Sequence, residues 1–110
     1  MANLIPKNLY IGNDTASNVY TVSNTAGSYS IVRNINICNV TSGVTTCDVH
    51  ILTSAGTAGN NNAILKTFTV NANETISYDA GIVLSAGQKI YVVNANNKCT
   101  FTISGVEYSA

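Results

Sequence analysis

Residues 28–40 read SYSIVRNINICNV, and this stretch decides the fold class. Ile31, Ile35 and Ile37 fall on one side of an extended chain, with asparagines on the other side, although Arg33 interrupts the apolar side. Alternation with a period of two is typical of a strand that has one buried and one solvated face. The segment therefore predicts a half-buried strand in an antiparallel sheet.

The alternation repeats immediately downstream. Residues 45–53 place Cys47, Val49 and Ile51 on one side and polar residues on the other. The short turn sequence at residues 41–43, Thr-Ser-Gly, separates the two segments. Two alternating runs joined by a short turn predict a β-hairpin.

The rest of the chain has the same character, and helical periodicity is nearly absent. Residues 54–63, SAGTAGNNNA, predict an exposed loop long enough to pass between two sheets, and Asp79-Ala80-Gly81 predicts a bend or bulge. A turn at residues 94–97 predicts a C-terminal hairpin. About eight short strands separated by turns predict an all-β fold, a single antiparallel β-sandwich of the jelly-roll or immunoglobulin-like kind. The further strands are expected at residues 9–11, 18–22, 64–70, 74–84, 89–93 and 99–106.

The composition restricts the possible partners. Charged residues make up 9% of the chain and the net charge is zero, while the hydrophobic fraction is 45%. A chain with this balance is expected to fold, and it has no field that would draw it to nucleic acid or to an anionic membrane. No secretory signal or membrane-spanning run is found, so we expect synthesis in a cytosol. The five basic residues are dispersed: Lys7, Arg33, Lys66, Lys89 and Lys98.

The three cysteines, Cys38, Cys47 and Cys99, have no spacing typical of a zinc site. Small apolar side chains within strands are the expected role for all three, in keeping with a reducing compartment. One alternative remains open at this point, a single bridge between Cys47 and Cys99.

Residues suited to catalysis are few. His50 is the sole histidine, expected on an exposed strand face beside Asp48, and no G-x-S-x-G nucleophile motif is present. The carboxylates are scattered, and the amide run at residues 60–62 has no carboxylate to complete a calcium loop. We therefore expect no enzyme activity, no cofactor and no metal site.

The N-terminus contains the one proline of the chain, Pro6. Because proline cannot donate a ladder hydrogen bond, residues 1–8 are expected to form an extended arm or edge segment, and residues 9–110 the sandwich domain. The alternative is a disordered tail of the kind common at termini. Leu4 and Ile5 would be left in water on a free arm. They are candidate interface residues together with Tyr10, one of six tyrosines that suit either packing and interfaces or, alternatively, a sugar-binding face.

The order of several segments resembles that of a group of small bacteriophage virion proteins, over roughly residues 8–108. These segments are NLYIG, VYTV, IVRNINICNVTS, GTAGNNNAIL, NANETISYDAGIVLSAGQKIYVV and TISGVEY. The resemblance implies a non-catalytic β-sandwich that commonly forms homotrimers and binds the major capsid protein or other virion proteins. A capsid decoration (cement) protein on the outer capsid surface, made in the host bacterial cytoplasm, is the leading expectation. The alternatives are a neck, tail or fibre accessory protein, or a carbohydrate-binding module that contacts a receptor.

Overall fold

The computed structural model describes residues 4–109, which form eight β-strands and one short 3₁₀ turn, Ala95–Asn97. The strands build two four-stranded antiparallel sheets, and the prediction of an all-β antiparallel sandwich is confirmed. The first sheet has the order β1-β8-β3-β6 and the second has the order β2-β7-β4-β5. The strands are β1 (Leu4–Gly12), β2 (Ala16–Thr21), β3 (Tyr29–Asn39), β4 (Thr45–Leu52), β5 (Ala63–Val70), β6 (Thr75–Ser85), β7 (Lys89–Val93) and β8 (Cys99–Tyr108).

The strands pair in a nested order, the first with the last and the innermost two with each other. β4 pairs with β5, β3 with β6, β2 with β7 and β1 with β8, so the chain doubles back on itself at the β4–β5 connection. This long double ribbon is divided between the two sheets, which gives the strand order of a jelly roll. Of the two kinds of sandwich expected from the sequence, the jelly roll is therefore the one formed.

The core lies between the two sheets and is filled by inward-facing aliphatic side chains around one aromatic ring, Phe101. Full burial of an aliphatic or aromatic side chain contributes about 1.5–3 kcal/mol. A domain of 110 residues can bury enough apolar surface to fold without disulfide bonds or a structural metal ion. The largest fully buried apolar side chains are Phe101, Ile35, Ile37, Leu84, Ile90 and Ile103.

The hairpin expected between the strands around residues 28–40 and 45–53 does not form, because β3 lies in the first sheet and β4 in the second. Asn39 stabilises the connection that crosses from β3 in the first sheet to β4 in the second. Its buried side chain donates to the carbonyl oxygens of Gly43 (2.8 Å) and Val70 (3.1 Å) and accepts from the N–H of Thr41 (2.9 Å). These bonds satisfy the backbone of a corner that would otherwise leave polar groups unpaired inside the protein.

The C-terminal hairpin expected around residues 94–97 is also wrong, since β7 and β8 belong to different sheets. A second buried asparagine, Asn94, lies at this crossing. Its side chain accepts from the N–H of Cys99 (2.9 Å) and donates to the carbonyl oxygen of the same residue (2.6 Å). At both connections between the sheets, a buried amide side chain therefore hydrogen-bonds to backbone groups that have no partner strand there.

The bulge expected at Asp79-Ala80-Gly81 is confirmed. The register of β3 and β6 shifts between Val32 and Asn34, and Gly81 has a φ of 73°. The shift changes which residues face inward. Ile35 and Ile37 remain in the core, whereas Ile31 points to the outer face, so the expectation that all three share one face is wrong.

Residues 4–8 form the first part of β1, an edge strand of the first sheet, in which Pro6 pairs with Val106 of β8. An edge position tolerates a residue without an N–H. Residues 1–3 of the expected arm lie outside the described residues.

Candidate interaction surface

One end of the outer face of the first sheet carries two rows of apolar neighbours on adjacent strands. The first row runs from Leu4 through Tyr108 to Tyr29, and the second from Pro6 through Val106 and Ile31 to Val83. Side chains that are directly opposite on paired strands share a face. We call these residues the end patch: Leu4, Pro6, Tyr29, Ile31, Val83, Val106 and Tyr108.

The end patch is open to solvent. Val83 is 60% exposed and Leu4 is 52% exposed, and the other members are exposed or half-buried. The rings of Tyr29 and Tyr108 stack with centroids 5.1 Å apart at an angle of 21°. An open hollow of about 560 Å³ lies beside Tyr29 and Val83 and is bordered by Ala86. The patch thus combines flat aromatic area with an adjacent recess.

The rest of the same outer face is mostly polar. The next rows contain Asn34, whose side-chain amide donates to the hydroxyl of Ser77 (2.8 Å) and to the carboxylate of Asp79 (3.0 Å). Ile11 and Cys38 are isolated apolar exceptions on this part of the face. A contiguous apolar patch with a polar surround is typical of an interaction site, whereas single exposed apolar residues are ordinary.

The three candidate interface residues are not all brought together. Leu4 belongs to the end patch, while Ile5 pairs with Glu107 and points to the opposite side of β1, where it is 57% exposed. Tyr10 lies six residues beyond Leu4, packs against the core, and its hydroxyl accepts from the N–H of Asp14 (3.1 Å). Leu4 and Ile5 therefore mark the end of the molecule that carries the patch, and Tyr10 lies apart from it.

Most of the end patch was missed from the sequence. The alternation predicts Ile31 in the core, and nothing in the sequence marks Val83 or Val106 as interface residues. Tyr29 and Tyr108 are expected only in general terms, among the six tyrosines that suit packing and interfaces. The signal that could have found Ile31 is the charged Arg33 in its alternation, since a charge on the apolar side indicates a bulge that reverses the faces.

A polar network lies beside the patch, between the two sheets. The carboxylate of Glu107 accepts from the hydroxyl of Tyr20 and from the ammonium of Lys7 (3.0 Å), and the Tyr20 hydroxyl also lies 2.6 Å from that of Ser30. The hydrogen bonds from Tyr20 and then Lys7 lower the pKa of Glu107. Burial, followed by the bond to Glu107, raises the pKa of Tyr20 to about 12. The network ties four strands together at this end of the sandwich.

We expect the Glu107 network to make stability depend on pH. Because the folded-state pKa of Glu107 is lowered, its contribution is complete above its unfolded-state pKa and is lost as the pH falls through the folded-state value. Replacing Glu107 by glutamine should lower the free energy of unfolding by about 1 kcal/mol at pH 7, a modest amount because Lys7 and Glu107 are partly exposed. At low pH, where Glu107 is itself neutral, the substitution should have little effect. Urea unfolding at a series of pH values measures this. Equal pH dependence in the wild type and the variant would contradict it.

His50 is buried, at 3% exposure, so the expectation of an exposed strand histidine is wrong. Its Nδ1 lies 2.7 Å from the side-chain oxygen of Asn62, which also accepts from the N–H of Gly59, while the Asn62 amide nitrogen donates to the carbonyl of Thr57. The amide orientation is fixed by these partners, so Nδ1 must donate. His50 therefore anchors the loop of residues 53–62, which links two neighbouring strands of the second sheet.

Asp48 does not orient His50. One of its oxygens accepts from the N–H of Thr67 (2.6 Å), and the other lies 3.4 Å from the ammonium of Lys66. Within residues 4–109, no group of three or more His, Cys, Asp or Glu side chains is placed to hold a metal ion. No helix in that part of the chain has the length and apolarity to cross a membrane.

The tyrosines do not form one platform. Tyr29 and Tyr108 stack in the end patch, but Tyr20 belongs to the polar network, Tyr78 packs against the core and Tyr91 contacts the His50 ring edge to face. The only stacked tyrosine pair of the described residues is therefore the one in the end patch.

Comparison of the sequence with models of known protein families and with curated proteins found no match. The end patch and the jelly-roll sandwich are the features of the described residues that bear on function.

Proposed function

We propose that the protein is a non-catalytic structural protein of a bacteriophage virion, a capsid decoration protein that binds and stabilises the outer capsid shell. The observation that carries the proposal is the end patch. Apolar area of this kind costs free energy in water, and covering it with a partner recovers about 25 cal/mol for each Å². The patch has the composition of an interface core, with aromatic and aliphatic side chains and no charge.

The remaining surface supports association with a repetitive structure. The chain has five basic and five acidic residues and no net charge, so many copies can lie side by side without mutual repulsion. A standard interface covers about 800 Å² on each partner, and an array of copies multiplies a modest single contact through avidity.

The resemblance to small virion proteins adds the location and the partners: the major capsid protein or other virion proteins, and further copies of the same chain in a homotrimer. The jelly-roll strand order agrees with this by analogy of fold, since viral capsid domains commonly have it. Fold alone does not assign a function, and the analogy therefore only supplements the end patch.

Quantitative mass spectrometry of purified particles from the phage that encodes the protein tests the proposal. We expect a copy number comparable to that of the major capsid protein. A small number of copies, equal to one ring, would instead indicate a neck or tail protein. Absence from purified particles would overturn the proposal.

A further inference from the structure

Two of the three cysteines face each other across the core. Cys47 lies on β4 of the second sheet and is 2% exposed, and Cys99 begins β8 of the first sheet and is fully buried. Both belong to the hydrophobic core cluster. Cys38 differs from them, because it lies half-buried on the outer face of the first sheet.

The corner held by Asn39 brings the two strands together. Asn39 is the cross-strand neighbour of Cys99, and its side chain donates to the carbonyl oxygen of Val70. Val70 pairs in turn with Thr45, two residues before Cys47 and on the same inward face. Asn94, whose side chain bonds to the backbone of Cys99, directly follows β7, the strand next to β4, and the two thiols lie near enough for each to affect the pKa of the other.

The same surroundings keep the thiols unreactive. Burial raises the pKa of Cys47 to about 12 and also raises the pKa of Cys99. Because the thiolate is the reactive form, both thiols react slowly in the folded protein and remain reduced in a reducing cytoplasm.

We propose that Cys47 and Cys99 form a disulfide between the two sheets when the folded protein enters an oxidising environment. The oxidant is a low-molecular-weight disulfide such as oxidised glutathione. When a local opening of the corner exposes the thiols, one cysteine thiolate attacks the oxidant and releases a glutathione thiol, and the second attacks the mixed disulfide and releases another. One sulfur–sulfur bond is broken and one is formed, and the protein loses two electrons and two protons. This inference does not depend on the proposed virion function, since it requires only the oxidant.

The bridge closes a loop of roughly fifty residues. Closing a loop of this size restricts the unfolded chain strongly, and two thiols that are neighbours in the core can be joined with a small movement of their strands. We expect the midpoint of thermal unfolding to rise by about 10 °C or more.

The test is to incubate the folded protein with oxidised glutathione, remove the reagent, and count free thiols in denaturant. In the Cys38→Ala variant, which lacks the more accessible third thiol, we expect two free thiols before treatment and none afterwards, with no glutathione attached, together with the rise in unfolding midpoint, and we expect a reductant to reverse both changes. Two free thiols after prolonged treatment, attached glutathione in place of the bridge, or a bridged protein without a higher midpoint would overturn the proposal.

The partners in the bridge are identified with a Cys38→Ala variant. Trypsin leaves Cys38 and Cys47 on one peptide, residues 34–66, because no lysine or arginine separates them. In the Cys38→Ala variant we expect peptide 34–66 to remain linked to peptide 99–110 and the midpoint shift to persist. A Cys47→Ala variant should lose the link. A link that survives in Cys47→Ala and disappears in Cys38→Ala would contradict the assignment.

Discussion

Replacing Gly105 by alanine is expected to destabilise the protein by about 3 kcal/mol, equivalent to a fall of about 15 °C in the midpoint of thermal unfolding. Gly105 is buried in β8, which lies between β1 and β3. A Cβ atom added there would overlap the carbonyl oxygen of Ile31 and lie 3.0 Å from its carbonyl carbon and 3.2 Å from the Cα of Val32. These are backbone atoms of a paired strand, so they can move aside only by disturbing the ladder.

Gly43 provides the matched control for this substitution. No atom lies within 4 Å of the Cβ position there, and the residue lies in the corner between β3 and β4. Thermal and urea unfolding of Gly43→Ala should differ little from the wild type. A Gly105→Ala variant as stable as Gly43→Ala would mean that β3 and β8 are not packed as described.

Replacing Val83 by aspartate is expected to weaken binding to virions about 100-fold or more, with little change in the unfolding midpoint. Val83 is 60% exposed at the β6 end of the second row of the end patch, beside the open hollow, so the folded monomer accommodates a polar side chain. A carboxylate buried without a partner in an apolar interface costs several kcal/mol, and each 1.4 kcal/mol is tenfold in affinity. Cosedimentation with particles that lack the protein measures the binding.

Val44→Asp is the control, because Val44 is also a valine, is 61% exposed, and lies at the opposite end of β3 from the end patch. It should bind as well as the wild type. Equal loss of binding in both variants would mean that the effect is not specific to the patch. Full binding by Val83→Asp would exclude the patch as the contact surface.

The sequence predicts the strands and the sandwich well, because alternation depends on local geometry that each strand carries itself. It does not predict the connections. Turn sequences near Asn39 and Asn94 suit a hairpin as well as a crossing, and the difference comes from where each amide side chain finds its hydrogen-bond partners, such as Val70. Each amide also donates to a carbonyl oxygen far along the chain, that of Val70 for Asn39 and that of Asn13 for Asn94, and these partners are known only once the sheets are assembled.

The candidate surface was only partly predictable for a related reason. Leu4 and Ile5 can be identified from the sequence because two adjacent apolar residues near a terminus stand out before the fold is known. Ile31 was assigned to the wrong face because one bulge inverts the alternation, and His50 was expected in solvent because its cover, the loop of residues 53–62, belongs to tertiary structure. Local patterns thus identify which residues alternate, while bulges and covering loops decide which of them meet solvent.

Electron cryo-microscopy of the purified phage particle tests the central claim most directly. The account predicts many copies of the jelly-roll sandwich on the outer shell, with the end patch covered by a capsid protein or a neighbouring copy and the polar part of the first sheet facing solvent. Sandwiches bound through another surface, with Tyr29, Val83 and Tyr108 left in solvent, would contradict it.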